Sequence, residues 1–160
     1  MGRSAALVLL ALVLGAGAEG RDLHRFWDDR CADCHGHAAT FARRALEPHG
    51  EILVGSHPAG DLRLFLANHG VPPQDVERVH AMLLAQARGE PAWEERCRRC
   101  HGRAADFVRE ALERRQGDLV GRTGGRPIAA TLPGHARLSE ADAASFKALL
   151  ERIAGEIGLP

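Results

Sequence analysis

Each half of this 160-residue chain contains one Cys-x-x-Cys-His unit, and the two units hold all four cysteines. Two thiols at this spacing, one helical turn apart, can add across the two vinyl groups of a haem, and the adjacent imidazole can bind its iron. The units therefore predict one covalently attached haem c in each half. The attaching cysteines are Cys31, Cys34, Cys97 and Cys100, and the iron ligands next to them are His35 and His101.

Three other chemistries also use closely spaced cysteines. A thioredoxin-like redox pair accompanies a βαβ pattern, which neither unit shows. A structural zinc ion needs two cysteine pairs, or one pair with more histidines, folded onto one ion. A disulfide within one helical turn would constrain almost none of the chain. The unit occurs twice, each time four residues after a tryptophan (Trp27 and Trp93), and this repetition favours haem.

A second axial ligand for each iron can be argued by elimination. In the second half, His101 is accompanied by one further histidine, His135, and by no methionine. His69 lies at the same offset in the first half, 34 residues after His35. Imidazole is an ordinary haem ligand, so His69 and His135 are predicted to complete two bis-histidyl sites. The alternative is that each is a solvated or hydrogen-bonding loop residue.

Further side chains could approach a haem, although a structural role is favoured for all of them. We expect His80 and Met82 to pack on the core or the porphyrin edge. Arg43 and Arg109 recur at equivalent places and are expected on a solvated helix face, with pairing to haem propionates as the alternative. Four histidines without counterparts in the second half are expected on the surface or in loops, with contact to haem propionates as the alternative. These are His24, His37, His49 and His57.

A shift of 66 residues lays the second half on the first without a gap. Between residues 27–89 and 93–155, 21 of 63 positions are identical, which indicates an internal duplication. The segment Gly89-Glu90-Pro91 marks the joint, so we expect one haem-binding repeat over residues 19–89 and another over residues 90–160.

Each repeat is predicted to be helical, and no strand pattern is apparent, so the predicted fold class is all-α. The final helices show apolar positions at i, i+3, i+4 and i+7, and Ser139 with Asp142 forms a variant of the capping box. Segments rich in glycine and proline, 48–60 and 116–127, are expected to be loops. The predicted helices are roughly 21–34, 38–47, 61–68, the segment after Pro72-Pro73, 91–100, 104–115, 127–132 and the segment after Ser139.

The N-terminus has the pattern of a secretory signal peptide. Arg3 precedes a short apolar run at residues 5–14, and Ala16-Gly17-Ala18 is a cleavage site of the A-x-A type. The run is about half the ~20 residues that span a bilayer, so cleavage after Ala18 is favoured over a membrane anchor. We therefore expect an exported, periplasmic protein with no transmembrane segment in residues 19–160. Haem attachment after export is consistent with this.

Charge and composition limit the classes of partner that the sequence predicts, and they bear on how the core is formed. Without Arg3 the chain has 20 basic and 21 acidic side chains, so nothing indicates binding to nucleic acid. Tyrosine is absent, and only five phenylalanines and two tryptophans are present. A unit of about 70 residues is marginally stable without a staple. Two covalent haems would supply the missing apolar cores.

Each repeat resembles a small class I c-type cytochrome. In both, a first helix ends in Cys-x-x-Cys-His-Gly, a loop region follows, and a C-terminal helix closes the unit. Residues 131–150, which begin Thr-Leu-Pro-Gly-His-Ala-Arg-Leu-Ser-Glu-Ala-Asp, are similar to the C-terminal part of that family, with His135 in place of the usual methionine ligand. The resemblance covers nearly the whole of residues 19–160 as a dihaem tandem.

This resemblance implies electron transfer between redox protein partners through two bis-histidyl haems, with no catalysis. Two imidazoles imply lower potentials than a His/Met pair. The alternative is a haem-based sensor of small ligands, or a peroxidase-like enzyme, in which one second histidine dissociates from its iron.

Overall fold

The computed structural model describes residues 20–58, 60–89 and 91–160. The predicted signal peptide lies outside the described residues. Helices dominate the described ranges, which confirms the predominantly helical class, and ten α-helices occur in them. In this part of the chain no helix is both long enough and apolar enough to cross a membrane.

The two repeats have the same order of elements. Each has two short helices, a third helix, a β-hairpin, a fourth helix, a 3₁₀ turn and a long closing helix. In the first repeat these are α1 Leu23–Arg30, α2 Ala32–His35, α3 Ala38–Ala45, β1 Glu47–His49, β2 Ile52–Val54, α4 Leu62–Ala67, the turn Pro73–Asp75 and α5 Val76–Arg88. In the second they are α6 Ala92–Arg96, α7 Arg98–His101, α8 Ala104–Ala111, β3 Leu112–Arg115, β4 Asp118–Gly121, α9 Ile128–Thr131, the turn His135–Arg137 and α10 Glu140–Glu156.

The two β-hairpins correct the expectation of a fold without strands. Strands β1 and β2 pair antiparallel, as do β3 and β4. Their turns contain Gly50 and Gly117, both with positive φ, the conformation that tight hairpin turns require. Strands of three or four residues are too short to show a period of two in sequence. They nevertheless place Leu53 and Leu119 in the core.

In each repeat, the segment predicted to form one first helix forms two consecutive helices, α1 and α2 or α6 and α7. Cys31 and Cys97 interrupt them with φ of −121° and −116°. The peptide N–H of each still donates to the carbonyl four residues earlier, that of Trp27 or Trp93. The first cysteine of each unit therefore lies at a bend between two helices.

Buried side chains form two clusters, and each draws on one repeat only. In the first, α5 packs against α3 and α4, with Val79 and Leu83 fully buried. In the second, α10 packs against α8 and α9, with Phe146 and Leu150 buried. The capping box at the start of α10 is present, because Ser139 and Asp142 each accept from the other's backbone N–H.

Polar contacts join the two repeats. Arg103 Nη1 of the second repeat lies 2.7 Å from an Asp28 carboxylate oxygen in α1. Arg109 donates through Nε to Asp22 Oδ2 at 2.9 Å. His24 Nε2 lies 2.8 Å from Glu156 Oε2 at the end of α10. Helix α1 is thereby fixed against both α8 and α10.

Candidate functional site

In each repeat a buried tryptophan donates a hydrogen bond across the Cys-x-x-Cys-His unit. Trp27 Nε1 donates to the Gly36 carbonyl oxygen at 2.8 Å, and Trp93 Nε1 donates to the Gly102 carbonyl oxygen at 2.9 Å. Both glycines have φ near +70°, a conformation that other residues adopt only with strain. The indole thus connects the helix that precedes the first cysteine to the glycine that follows the histidine, and it fixes the shape of the unit.

The four cysteines carry no disulfide, and the two members of each pair differ in exposure. Cys31 and Cys97 are partly buried, whereas Cys34 and Cys100 are exposed. Burial raises the pKa of the Cys31 and Cys97 thiols above their ordinary value. Redox-active pairs depend on a thiol with a lowered pKa, so these two positions differ from the attacking cysteine of such a pair.

Each unit's histidine faces the histidine that lies 34 residues later. The ring centroids of His35 and His69 are 6.1 Å apart, and those of His101 and His135 are 5.7 Å apart. Two imidazole nitrogens on opposite sides of one metal ion, each about 2 Å from it, place the ring centroids about 6 Å apart. The spacing of both pairs therefore suits one ion between the rings.

The protein supplies only part of a coordination shell at either pair. Among the described residues, no group of three or more His, Cys, Asp or Glu side chains could hold a metal ion. A structural zinc ion takes four such ligands, whereas the iron of a haem takes two at most, since the macrocycle supplies the other four. The histidine pairs fit the second kind of site.

A cavity of about 350 Å³ lies between His101 and His135 in the second repeat. Both thiols of this repeat, Cys97 and Cys100, line it as well. Its volume lies in the range of cofactor and small-molecule pockets, about 300–1,000 Å³. The rest of the wall is largely apolar, as a porphyrin face requires. The apolar lining includes Leu112, Ile128, Leu132, Leu138 and Leu150.

A phenylalanine supports the first histidine of each pair. The Phe41 ring lies 4.6 Å from His35, and the Phe107 ring lies 4.8 Å from His101, centroid to centroid. Trp27 packs on Phe41 at 5.4 Å, and the second repeat has the same arrangement at 5.3 Å. The identity of these positions between repeats was visible in the sequence, but their contact with the histidine was not.

The second histidine of each pair is held differently in the two repeats. His69 stacks on Phe65, with centroids 4.3 Å apart and an interplanar angle of 27°. The equivalent of Phe65 in the second repeat is Thr131, whose hydroxyl donates to the Pro127 carbonyl oxygen at 3.1 Å. His135 therefore lacks the aromatic support that His69 has.

The backbone after the second histidine differs too. Gly70 follows His69 with φ of 78°. The equivalent residue after His135 is Ala136, which also has positive φ, 49°, and Arg137 continues at 58°. Glycine takes this conformation at no steric cost, whereas a residue with a Cβ is strained in it. Strain is thus present beside His135 and absent beside His69.

His80 and Met82 are buried on α5, as predicted for packing residues. His80 Nε2 has no hydrogen-bond partner among the described residues and lies 3.8 Å from Asp61 Oδ1. Burial, and then the nearby Arg63 guanidinium, lower the pKa of His80. His80 occupies the place of Phe146 in the second repeat, so a polar ring fills a core position there.

Two expectations for surface residues were wrong. Arg109 is not on a solvated helix face, because it pairs with Asp22 across the repeats and with Asp106 on its own helix. His24 is largely buried in its contact with Glu156. His37 is exposed, as expected, and lies at a cleft between the repeats that is lined by residues of α1, α3, α8 and α10. Partial desolvation there lowers the pKa of His37.

Other residues agree more closely with the sequence prediction. His49 is exposed, 3.7 Å from the Glu47 carboxylate. His57 is exposed and packs at 4.3 Å on Phe65, the ring on which His69 stacks. Arg43 lines the cleft between the repeats and is partly exposed.

The chain was compared with known proteins in three ways, and none gave a match: no family model, no curated protein and no solved structure.

Proposed function

We propose that this protein is an exported dihaem electron carrier of the c-type cytochrome kind. One haem c is attached in each repeat, through Cys31 and Cys34 and through Cys97 and Cys100. The residues that would hold the iron are His35 with His69 in the first repeat and His101 with His135 in the second. Redox proteins donate and accept the electrons.

The observation that carries this proposal is the convergence of four side chains on one cavity. Both thiols and both histidines of the second repeat line a largely apolar space of about 350 Å³. The two imidazoles face each other at 5.7 Å across it. The first repeat supports the proposal independently, since His35 and His69 face each other at 6.1 Å.

When bound, a haem would supply a one-electron ferric–ferrous couple. The chain's own residues would do the rest. His35 with His69, and His101 with His135, would each hold one iron through two protein ligands, which would leave the iron no free position for a substrate. The Trp27 and Trp93 hydrogen bonds and the Phe41 and Phe107 rings hold the first histidine of each pair. A ligand set that is fixed in both oxidation states favours electron transfer over catalysis.

The direct test is expression with a c-type maturation system, followed by intact-mass measurement. We expect the polypeptide mass plus two haems, retained after acid-acetone extraction. The double variant Cys97→Ala/Cys100→Ala should retain one haem, and Cys31→Ala/Cys34→Ala should do the same for the other site. Four unmodified thiols after maturation in a competent host would disprove the proposal.

Export has its own test, because the signal peptide is proposed from sequence alone. N-terminal sequencing of the periplasmic protein should begin at Glu19. A protein that keeps Met1 in the membrane fraction would instead have an uncleaved anchor, while the haem proposal would stand.

A further inference from the structure

The two repeats differ in the charge of the surface around their Cys-x-x-Cys-His units. We propose that an acidic redox protein docks on four arginines at the cavity of the second repeat, and that the first repeat does not bind this partner. The four residues, Arg98, Arg99, Arg126 and Arg137, form the arginine rim. The proposal rests on the haem function proposed above. It deepens that function, because it assigns the charge of one partner and the repeat at which this partner docks.

Two arginines of the rim belong to the Cys-x-x-Cys-His unit itself. Arg98 and Arg99 are the residues between Cys97 and Cys100, the two thiols that line the cavity. Cys100 is exposed, so this edge of the cavity lies at the protein surface. A protein that approaches the cavity from this edge therefore meets two guanidinium groups.

The other two arginines lie on the side of the second histidine. Arg126 lines the cavity itself. Arg137 follows His135 by two residues and is the neighbour of Ala136, which also lines the cavity. His135 is exposed, so this edge of the cavity also lies at the surface and carries positive charge.

The charges of the arginine rim are available to a partner. All four side chains are exposed, and none forms an ion pair with another residue that the structure describes. Two further arginines near the cavity are already paired: Arg96 with Asp142 at 3.0 Å, and Arg122 with Glu113 at 3.6 Å. A free guanidinium group binds a carboxylate through parallel hydrogen bonds. The rim therefore suits a surface that is rich in Asp and Glu.

Nearby acidic side chains do not cancel the rim. Two exposed glutamates without an ion pair in the described ranges, Glu95 and Glu110, each adjoin a residue that lines the cavity. With the four arginines they give this surface four positive charges and two negative charges, which leaves a net charge of +2.

The equivalent surface of the first repeat has the opposite sign. The six positions are occupied there by Asp29, Ala32, Asp33, Arg44, Gly60 and Val71. One positive and two negative charges give a net charge of −1. The cysteines and histidines are the same in both repeats, so the charge differs where the proposed haem ligands do not. An acidic protein is therefore attracted to one repeat and repelled by the other.

The charge of the whole chain favours a protein partner over an anionic membrane. Binding to a membrane surface depends on an excess of basic residues over a broad face, whereas residues 19–160 contain 20 basic and 21 acidic side chains. A protein interface of ordinary size covers only about 800 Å² on each partner. Such an interface can be confined to the arginine rim and its immediate surroundings.

Dye-labelled poly-L-glutamate is the probe for docking, added to the holoprotein after intact mass has established two covalent haems. Fluorescence anisotropy should show binding that weakens with salt, because the Debye length falls from about 30 Å at 0.01 M to about 10 Å at 0.1 M. Arg98→Glu/Arg99→Glu should raise the Kd by about tenfold or more. Arg126→Glu/Arg137→Glu should do the same, so the test stands if one variant fails to fold. Absence of covalent haem would defeat the function proposed above and is scored before the peptide is added.

The double variant Arg30→Glu/Arg44→Glu is the matched control. Both residues are exposed arginines of the first repeat without an ion pair among the described residues. Their reversal changes the net charge of the chain by the same amount as reversal of two rim arginines. The Kd for poly-L-glutamate should change by less than about twofold, because exposed charges away from the interface are screened.

A ruthenium-labelled poly-L-glutamate tests whether the docked partner exchanges electrons with the second haem. A light flash excites the ruthenium(II) complex, which gives one electron to a ferric haem and becomes ruthenium(III), while the iron becomes ferrous. We expect one haem per chain to be reduced within the complex. This reduction should be lost in Arg98→Glu/Arg99→Glu and in Cys97→Ala/Cys100→Ala, which lacks the second haem. It should persist in Arg30→Glu/Arg44→Glu.

Three results would overturn the inference. The first is a peptide that does not bind at low ionic strength, or whose Kd is unchanged in both rim variants. The second is an equal loss of binding in the Arg30→Glu/Arg44→Glu control, or flash reduction of the first haem instead of the second. The third is binding to phosphatidylglycerol vesicles that depends on the rim and exceeds binding to the peptide, which would identify a membrane surface. In each case two haems are present and the electron-transfer proposal stands.

Discussion

Trp93 donates a hydrogen bond through Nε1 to the carbonyl oxygen of Gly102, at 2.9 Å and nine residues away, so that it spans the whole Cys-x-x-Cys-His unit. Trp93 is buried, and its removal leaves a carbonyl without this donor. We expect Trp93→Phe to lower the free energy of unfolding by about 1–2 kcal/mol, the cost of one lost hydrogen bond and some packing. Urea unfolding should show a lower midpoint with an unchanged m value.

Trp27→Phe is the matched variant, because Trp27 makes the same bond to Gly36 at 2.8 Å. The two variants should lose similar stability. If neither midpoint moves, the indole hydrogen bonds do not stabilise the units.

The helices were predictable because their signals are local. The apolar periodicity of α5 and α10 and the Ser139–Asp142 capping box all lie within a few residues of each other along the chain, and the structure has them. The break at Cys31 could not be foreseen, since neither glycine nor proline marks it. The hairpins were missed because their strands are short, three residues each in the first repeat and four each in the second.

Contacts between residues that are far apart along the chain could not be predicted from the sequence. Asp22 and Arg109 are 87 residues apart, and His24 and Glu156 are 132 apart. No local pattern links such positions. The pairing of His101 with His135 was nevertheless predictable, because the duplication put a histidine at the same offset twice.

The Asp22–Arg109 ion pair should couple the two repeats. Both side chains are about four-fifths buried, so solvent screens the pair less than a surface pair. A double-mutant cycle with Asp22→Asn and Arg109→Gln should give a coupling energy of about 1 kcal/mol that falls with added salt. Asparagine keeps the N-cap of α1, where the Asp22 side chain accepts from the Arg25 N–H.

An exposed pair provides the control. Arg88 and Glu51 are both exposed and lie 3.1 Å apart, and their coupling should be at most about 0.5 kcal/mol. Equal coupling energies for the two pairs would show that the ion pair between the repeats is no stronger than an exposed ion pair.

His80 should make stability depend on pH. Its pKa lies below the ordinary 6.5 because burial and Arg63 disfavour the charged ring. The unfolded chain therefore takes up a proton at a higher pH than the folded protein does. The free energy of unfolding should fall as the pH drops below about 6.5. Asp61, at 3.8 Å, offsets only part of this effect.

The second repeat has a phenylalanine, Phe146, at the position equivalent to His80. The variant His80→Phe gives the first repeat the same residue. Urea unfolding at pH 7 and pH 5 should show a smaller loss of stability in the variant than in the wild-type protein. Some dependence should remain, because burial lowers the pKa of His37 as well. Identical pH dependence in both proteins would exclude His80 as a contributor.

His135→Met tests the ligand assignment in the second repeat. A thioether stabilises ferrous haem relative to imidazole, so one of the two reduction potentials should rise while both haems stay attached. A methionine–iron band should appear near the red end of the ferric spectrum. His69→Met is the counterpart and should raise the other potential. If the potentials and spectra of His135→Met match the wild type, the sixth ligand of that haem is another residue.

The turn after the second histidine gives a pair of stability predictions with opposite signs. Ala136→Gly removes the Cβ at φ of 49° and should raise the free energy of unfolding by about 1 kcal/mol. Gly70→Ala adds a Cβ at φ of 78°, with no heavy atom within 4 Å of it, so its cost is backbone strain alone. It should lower the free energy of unfolding by about 1–2 kcal/mol. Urea unfolding of both variants measures the two effects in one protein. If both changes lower stability, positive φ at Ala136 is not strained, and the two turns are energetically equivalent.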